Sequence, residues 1–279
     1  MAKVPKPGRH ASKLNASTRQ AAQMLLLKPT MWRLLRVHVH GKANLEDLEA
    51  PCVVFANHSS HLDTPLIYGA LPNRISKYLA AGAARDYFYD KWWKAGPMSL
   101  FFNGYPIDRG KDRGKDNDSK KRNVRGLSAA LLDAGVPLLI YPEGSRSRTG
   151  AMGPFKPGVA ALCISRQIPA VPIALIGAHA AWPSTQKHLP KGRPIVHVVI
   201  GRPMMPLPGE IAHEFNERMR RQVLELHDTT ARAYGARTLD EYARVAALGK
   251  AKKTEVTALA EDARARADQS DHQENQEDQ

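Results

Sequence analysis

Short apolar runs alternate with helical periodicities along this chain of 279 residues. Apolar runs bounded by turn residues are typical of buried strands, whereas apolar residues three and four apart favour helices. We expect strands at 37–41, 52–56, 136–141, 170–176 and 195–200, and helices at 64–70, 123–133, 158–166 and 210–234. This alternation predicts an α/β protein with a central mixed, largely parallel sheet flanked by helices.

The N-terminal part of the chain combines two kinds of composition. Residues 1–18 lack apolar periodicity and contain Pro5 and Pro7, so they are predicted as a basic disordered arm. Residues 19–36 are predicted as an amphipathic helical segment that Pro29 interrupts. Its Leu, Met and Trp residues lie among Lys and Arg, which is the composition of an interfacial membrane helix. Packing against the domain explains the same pattern, and both interpretations stay open.

Length and composition indicate one large domain with appendages. We assign the α/β domain to residues 37–235, followed by a helical and then acidic disordered tail over 236–279. No stretch approaches the ~20 apolar residues that span a bilayer, and no secretory signal is evident. Cys52 and Cys163 lie in apolar runs, so both are expected as buried free thiols in a reducing compartment.

The formal net charge of +14 indicates an anionic partner. Nucleic acid, an anionic lipid surface and phosphorylated substrates all meet this requirement. The N-terminal part is especially basic, because no Asp or Glu precedes Glu46. Nucleic-acid binding is not expected, since the chain lacks the aromatic interleaving and the motifs that such binding usually shows.

His58 and Asp63 are the strongest candidates for chemistry. His58 follows the strand predicted at 52–56, and a strand end is where an α/β protein exposes reactive side chains. Five residues on an ideal helix rotate by about 500°, so the pair would diverge if both were helical. The two side chains meet only if His58 precedes the helix and Asp63 lies in its first turns. Ser59 and Ser60 favour that start, because hydroxyl residues cap helices. A His held by a carboxylate is a general base at neutral pH.

Two other interpretations of this segment stay open. A histidine at a helix cap is a purely structural alternative for His58. His58, His61 and Asp63 are also possible metal ligands, but the segment lacks the two His at i, i+4 with a Glu that mark a zinc site. We therefore predict no metal site and expect His61 to be a partly exposed helical residue outside the chemistry.

The loop after the strand at 136–141 is a candidate phosphate site. Glu143-Gly144-Ser145-Arg146 combines a glycine and a hydroxyl, which permit close backbone approach, with a planar guanidinium donor. Arg109 follows another strand-like run and Lys156 lies just downstream, so both can converge on the same crevice. A solvated basic loop is the alternative.

These motifs together resemble the glycerolipid acyltransferase family, and most closely bacterial 1-acylglycerol-3-phosphate acyltransferases. The segments that carry the resemblance stand in the family's order: Asn57–Asp63, Tyr105–Arg109, Glu143–Ser147, Phe155–Gly158 and Val171–Ile173. The third of them usually carries Thr where this chain has Ser145. The resemblance covers about residues 37–203, and residues 1–20 and those beyond about 235 inherit nothing from it.

The resemblance implies acyl transfer from acyl-CoA or acyl-carrier protein to the hydroxyl of a lysophospholipid at the cytoplasmic membrane face, without a cofactor. By this resemblance His58 is the general base and Asp63 orients it, and the acceptor hydroxyl attacks the thioester directly in a ternary complex. The residues implied to hold the headgroup are Arg109, Glu143, Gly144, Ser145 and Arg146, with Lys156 beside them. The acceptor implied is 1-acylglycerol-3-phosphate; glycerol-3-phosphate, another lysolipid and a glycolipid are the alternatives.

The chain departs from the family in two places. His61 stands where many members have an apolar or aromatic residue, and the charged loop at 111–122 is longer than usual. Outside the acyltransferase interpretation, a metal-dependent hydrolase using the His58 segment and a nucleic-acid-binding protein are the remaining hypotheses.

Overall fold

One seven-stranded sheet organises the part of the chain that the structure describes. The computed structural model describes residues 8–84, 101–107 and 118–252, with 254 and 257. Its strands are β1 (Arg36–His40), β2 (Val53–Ala56), β3 (Ala80–Ala84), β4 (Tyr105–Ile107), β5 (Leu138–Ile140), β6 (Ala170–Ile176) and β7 (Ile195–Ile200). The helices are α1 (Gly8–Ala11), α2 (Lys13–Ala22), α3 (Lys28–Leu34), α4 (Asp63–Ala70), α5 (Asn73–Ser76), α6 (Asp118–Asp133), α7 (Gly158–Arg166), α8 (Ala178–Ala181) and α9 (Ala212–Ala233). A π-helical turn, Gln23–Leu27, joins α2 to α3, and a 3₁₀ turn, Lys42–Leu45, follows β1.

The strand order is β1-β7-β6-β2-β5-β3-β4. All neighbouring strands are parallel except β6 and β7, which are antiparallel. The mixed, largely parallel sheet predicted from the sequence is therefore confirmed. Because β2, β5 and β6 run in the same direction side by side, the loops that follow them emerge at one edge of the sheet.

Helices cover both faces of the sheet, which explains why its central strands are continuous apolar runs. Every residue of β2 and β6 is buried. On one face α3 and α4 pack with Leu35, Leu66 and Ile67 in the core; on the other, α6, α7 and α9 pack around Phe55 and Phe215. Cys52 and Cys163 are buried free thiols, and burial raises the pKa of each to about 12.

The prediction of a disordered arm was wrong for residues 8–18, which lie in α1 and α2. Their order comes from contacts with distant parts of the chain rather than from local apolar periodicity. The His10 ring pairs with the Asn103 side chain at 3.0 Å, and the Arg19 guanidinium donates to the carbonyl of Lys77. Residues 1–7 lie outside the described ranges.

The sequence predicted that Pro29 interrupts the N-terminal helical segment. In the structure α2, the π-helical turn and α3 follow one another without a break. The proline lies in the first turn of α3 directly after a π-helical turn, and the N–H of Lys28 before it donates to the Gln23 carbonyl in the wider π-helical pattern. The π-helical turn precedes it, and Gln23 in that turn donates to the Phe101 carbonyl at 2.6 Å. In the described ranges, no helix has the length and apolar character needed to cross a bilayer.

Residues beyond α9 return to the body of the domain. Leu239 and Tyr242 are buried, and the Leu239 N–H donates to the Asp228 carboxylate at 2.7 Å. Residues 239–252 are helical, which agrees with the first part of the predicted tail. The predicted domain limits at 37 and 235, and the acidic disordered end of the tail, stay predictions.

Candidate active site

The candidate site lies where β2 and β5 end, at the edge to which parallel strands direct their following loops. His58 comes two residues after the end of β2, and Glu143 comes three residues after the end of β5. The side chain of Asn57 accepts from the N–H of Leu175 and donates to its carbonyl, at 2.8 and 3.1 Å. Asn57 thereby fixes the end of β2 to β6 immediately before His58.

The imidazole Nδ1 of His58 lies 2.7 Å from Asp63 Oδ2. His58 precedes the helix and Asp63 is the first residue of α4, which is the arrangement that the spacing predicted. The same Oδ2 accepts the backbone N–H groups of Ser59 and Ser60, at 2.8 and 2.9 Å. Asp63 is fully buried, whereas 18% of the His58 side chain is exposed. The dyad therefore combines a fixed, buried carboxylate with a partly exposed imidazole.

Ser59 and Ser60 do not cap α4 with their hydroxyls, contrary to the sequence prediction. The N-cap position is Leu62, without a side-chain cap. Ser59 and Ser60 instead contribute their backbone N–H groups to Asp63, and the Ser60 hydroxyl donates to the Trp182 carbonyl at 2.6 Å. The serines therefore hold the carboxylate and join this loop to the chain after α8.

Tyr141 supports the imidazole, a contact that sequence reasoning missed. The ring of Tyr141 stacks on that of His58 with centroids 3.8 Å apart and planes 11° from parallel. Its hydroxyl lies 3.0 Å from the Thr64 hydroxyl, which fixes the phenol against the first turn of α4. Burial raises the pKa of Tyr141 well above its ordinary value, so this side chain stays a neutral phenol. The position directly after a buried strand was the signal available for it.

The carboxylate of Glu143 joins two backbone segments rather than pointing away from the protein. One oxygen accepts the N–H of His58 at 2.7 Å and the other accepts the N–H of Gly153 at 2.8 Å. Sequence reasoning placed Glu143 among the headgroup ligands. The structure places it behind the dyad, where it sets the backbone position of the histidine.

Glu143 gives a testable pH dependence of stability. Burial raises the pKa of Glu143 from 4.5 to about 7, and this outweighs the opposing effect of the two backbone N–H donors. A carboxyl whose pKa is higher in the folded state contributes stability that is fully present below pH 4.5 and is lost as pH rises through about 7. We expect wild type to lose stability relative to Glu143→Gln across this window in urea unfolding. Glu225→Gln on the exposed face of α9 is the matched control, and a flat difference for Glu143→Gln would contradict the assignment.

Gly144 adopts a backbone conformation that only glycine accepts without strain. Its φ is +75°, in the left-handed region, and its N–H donates to the Tyr141 carbonyl at 3.0 Å. A Cβ at this position would lie 2.9 Å from Lys156 Nζ. The ammonium of Lys156 therefore crosses over the tight turn between Glu143 and Ser145, as the predicted convergence of these residues requires. Ser145 itself is exposed.

Substituting Gly144 tests this turn. We expect Gly144→Ala to lower the free energy of unfolding by about 1–2 kcal/mol from left-handed strain, and to displace Lys156. Gly126→Ala is the matched control: Gly126 is helical and a Cβ there meets nothing within 4 Å, so that variant should gain about 0.5–1 kcal/mol. Equal unfolding free energies for the two variants would show that the turn imposes no constraint.

Arg146 and His61 form a pair that the sequence did not predict. The guanidinium Nη1 lies 2.7 Å from His61 Nδ1. His61 was predicted as a helical bystander, but it lies in the bend before α4 and its ring tilts against Trp182 with centroids 5.2 Å apart. The loop of Glu143 and the loop of His58 therefore meet through side chains as well as backbone.

The segment at 182–184 is a third component of the site that sequence reasoning missed. The Ser184 N–H donates to the Ser59 carbonyl at 3.2 Å, and its hydroxyl donates to the Ser147 carbonyl at 3.1 Å. The Ser147 N–H in turn donates to the His58 carbonyl at 2.7 Å. Ser184 thus connects both loops of the site, and its contact with Ser59 spans more than 120 positions of sequence, which no local pattern reveals.

Seven of the eight predicted site residues lie in the described ranges, close to the ends of β2 and β5. Pairwise contacts join His58 to Asp63 and to Glu143, Gly144 to Lys156, and Arg146 to His61, and Ser145 is exposed in the same turn. Arg109 lies outside the described residues. Within those described ranges, no group of three or more His, Cys, Asp or Glu is arranged to hold a metal ion.

The chain is similar to a known protein family and to several characterised proteins. The sequence profile of the family described as Acyltransferase matches residues 36–176, which is half of the chain. The 1-acyl-sn-glycerol-3-phosphate acyltransferase alpha of Bos taurus is 27% identical over 215 residues, covering 75% of this chain and 69% of that protein. The enzyme of the same name from Mus musculus is 30% identical over 166 residues, covering 58% of this chain and 52% of that protein.

A third relative and a solved structure complete the comparison. The 1-acyl-sn-glycerol-3-phosphate acyltransferase of Cocos nucifera is 28% identical over 131 residues, and the match spans 47% of this chain but only 39% of that protein. The crystal structure of the 1-acyl-sn-glycerophosphate acyltransferase of Thermotoga maritima shares the fold, with a TM-score of 0.56 and 20% identity over 76% of both chains. The family match includes β1 to β6 and the loops that carry His58 and Glu143, so this chain belongs to the acyltransferase family.

Proposed function

We propose that the protein transfers a fatty acyl chain from a thioester, acyl-CoA or acyl-carrier protein, to the hydroxyl of 1-acylglycerol-3-phosphate, giving phosphatidic acid. The observation that carries the proposal is the 2.7 Å contact between His58 and buried Asp63 at the end of β2, in a chain of the acyltransferase family. The relatives named above have this activity in their names, which supports the choice of acceptor.

The dyad supplies the base for this reaction. Asp63 accepts the Nδ1 proton of His58, so the lone pair of the neutral ring is on Nε2. Nε2 takes the proton of the acceptor hydroxyl while that oxygen attacks the thioester carbonyl carbon. The tetrahedral intermediate then expels the thiolate, which takes the proton from the imidazolium and leaves as free thiol. Asp63 stabilises the imidazolium between these two steps.

Arg146 and Lys156 are suited to the phosphate of the acceptor. A guanidinium offers planar donors to a phosphate, and an ammonium adds a point charge. Lys156 Nζ lies over Gly144, and the Arg146 guanidinium contacts His61 in the loop that follows His58. We assign headgroup binding to these two side chains, with Arg109 as an additional candidate from the sequence. No cofactor takes part in the reaction, since the thioester is a co-substrate.

The test is release of free thiol from acyl-CoA in the presence of different acceptors. The panel contains 1-acylglycerol-3-phosphate, glycerol-3-phosphate, a lysophosphatidylcholine and a monoacyl glycolipid, with product masses measured in parallel. We expect one thiol released per phosphatidic acid formed, and the largest kcat/KM for 1-acylglycerol-3-phosphate. A larger value for another acceptor would correct the substrate, and the absence of thiol release with every acceptor would refute acyl transfer.

The N-terminal helices carry the surface best suited to a membrane. Leu14, Leu25 and Leu26 are 77%, 75% and 58% exposed on α2 and the π-helical turn, and Lys28 and Arg33 follow them in α3. Exposed leucines among basic residues match an interface of anionic lipid headgroups and acyl chains. We propose that this surface binds the membrane from which a lysophospholipid enters the site.

Liposome flotation tests the membrane surface. We expect binding to vesicles that contain phosphatidylglycerol and weaker binding to pure phosphatidylcholine. The double variant Leu25→Asp, Leu26→Asp should lose at least about tenfold in affinity, since each buried leucine contributes about 1.5–3 kcal/mol. Leu248→Asp, at a side chain 69% exposed on the C-terminal helix, is the matched control. An equal loss of vesicle affinity in the double variant and in Leu248→Asp would show that the lipid contact lies elsewhere.

A further inference from the structure

His61 takes no part in the proton transfers proposed above, yet it holds a defined contact with the phosphate-binding arginine. Its Nδ1 accepts from Arg146 Nη1 at 2.7 Å. Because a guanidinium can only donate, Nδ1 is the acceptor of this contact and the proton of the neutral ring lies on Nε2. The contact with Arg146 therefore selects one neutral tautomer of His61.

The charges around the ring favour the neutral form. Burial and then the neighbouring Arg146 lower the pKa of His61, and His58 acts in the same direction. The Ser184 backbone bond and the Asp63 carboxylate oppose this effect without reversing it. At neutral pH the imidazole is consequently an uncharged acceptor beside the guanidinium.

The backbone segments that carry His61 and Arg146 are joined by hydrogen bonds. The His61 N–H donates to the Trp182 carbonyl at 3.4 Å, and the indole of Trp182 packs against the imidazole. Ser147, next to Arg146, donates its N–H to the His58 carbonyl and accepts at its own carbonyl from the Ser184 hydroxyl. Because both ends are anchored to the same three loops, the contact between His61 and Arg146 fixes the guanidinium relative to the dyad.

We propose that His61 is a positioning residue that orients Arg146 toward the phosphate of the acceptor. A carboxylate in the place of His61 would orient the guanidinium but neutralise its charge, whereas a neutral imidazole accepts one N–H without neutralising that charge. The guanidinium is then presented to the phosphate in a fixed plane, as bidentate recognition requires. This inference rests on the proposed function, because it takes the acceptor to carry a phosphate.

A pair of substitutions separates hydrogen bonding from packing. His61→Phe keeps an aromatic ring against Trp182 but removes the acceptor nitrogen, whereas His61→Asn removes the ring and places an acceptor oxygen near the position of Nδ1. We expect His61→Phe to raise the KM for 1-acylglycerol-3-phosphate about tenfold, the effect of one charge-assisted hydrogen bond. Its kcat and its KM for acyl-CoA should stay within about twofold of wild type. His61→Asn should recover most of the acceptor KM.

A control substitution and a double variant complete this experiment. His188→Phe, at an exposed loop position, should match wild type in all three constants. His61→Phe combined with Arg146→Ala should raise the acceptor KM no further than Arg146→Ala alone, because the histidine acts through the arginine. Equal changes in kcat and both KM values for His61→Phe, an unchanged acceptor KM, or independent effects in the double variant would each overturn the proposal.

A binding measurement distinguishes failure of this inference from failure of the proposed function. Calorimetric titration with glycerol-3-phosphate needs no turnover, so it reports the phosphate site even if acyl transfer is absent. We expect His61→Phe to weaken this binding about tenfold and His61→Asn to restore it. Equal binding by wild type and His61→Phe would refute the positioning role whichever acyl reaction the protein performs.

Discussion

His58→Ala is expected to lower kcat by about 10²–10⁴-fold, the range that general-base catalysis contributes. The variant loses Nε2, the atom that takes the proton of the acceptor hydroxyl. It also loses the stacking on Tyr141 at 3.8 Å and one of the three hydrogen bonds at Asp63 Oδ2. The backbone N–H groups of Ser59 and Ser60 still hold the carboxylate, so the loop should keep its conformation.

The measurement is the rate of thiol release with 1-acylglycerol-3-phosphate at saturation, together with thermal unfolding of the same sample. His213→Ala, at an exposed position in the first turn of α9, is the matched control and should keep full activity. Retention of more than about a tenth of the wild-type rate by folded His58→Ala would show that another group is the base.

Asp63→Asn is expected to cost about 10²–10⁴-fold in kcat while the KM of the acceptor stays close to wild type. The amide keeps the size of the side chain but has no negative charge to stabilise the imidazolium. It also replaces a carboxylate oxygen that accepts three hydrogen bonds, two of them from backbone N–H groups. Because these bonds are charge-assisted and buried, we expect a loss of about 1–3 kcal/mol in unfolding free energy as well.

Kinetics and stability must be measured on the same preparation to separate these two effects. Asp133→Asn is the matched control, since Asp133 is 59% exposed and pairs with Arg166 at the end of α6. A folded Asp63→Asn protein with a raised acceptor KM and an unchanged kcat would mean that Asp63 serves binding. The dyad would then have no role in proton transfer.

The central strands and the dyad could be predicted because their signals are local. A strand covered by helices on both faces must be apolar throughout, so β2 and β6 are evident as runs. The separation of His58 and Asp63 allows contact only when the helix begins between them, and α4 begins at Asp63. In both cases a few adjacent residues determine the geometry.

The remaining features depend on contacts between distant parts of the chain. Glu143 could have faced a ligand or the backbone, and only the fold shows that it accepts the N–H groups of His58 and Gly153. The helical N-terminus requires Arg19 to meet the Lys77 carbonyl, 58 positions away. His61 and Arg146 are separated by 85 positions, so their pairing has no signature in either segment alone.

The separation of roles at the site follows from these contacts. Asp63 and Tyr141 contact the ring of His58, and Glu143 accepts its backbone N–H. His61 contacts Arg146, which we assign to the acceptor phosphate. A base and a phosphate-binding cation fixed in one frame are what direct attack by a bound hydroxyl requires.

Direct attack is the central claim, and rapid mixing of the protein with acyl-CoA tests it most directly. If the acceptor hydroxyl attacks the thioester in a ternary complex, thiol appears only when 1-acylglycerol-3-phosphate is present, and phosphatidic acid forms in equal amount. The intact protein then shows no added acyl mass. A burst of about one thiol per protein without acceptor, accompanied by an acyl adduct, would contradict the account, because it is the signature of a covalent acyl-enzyme.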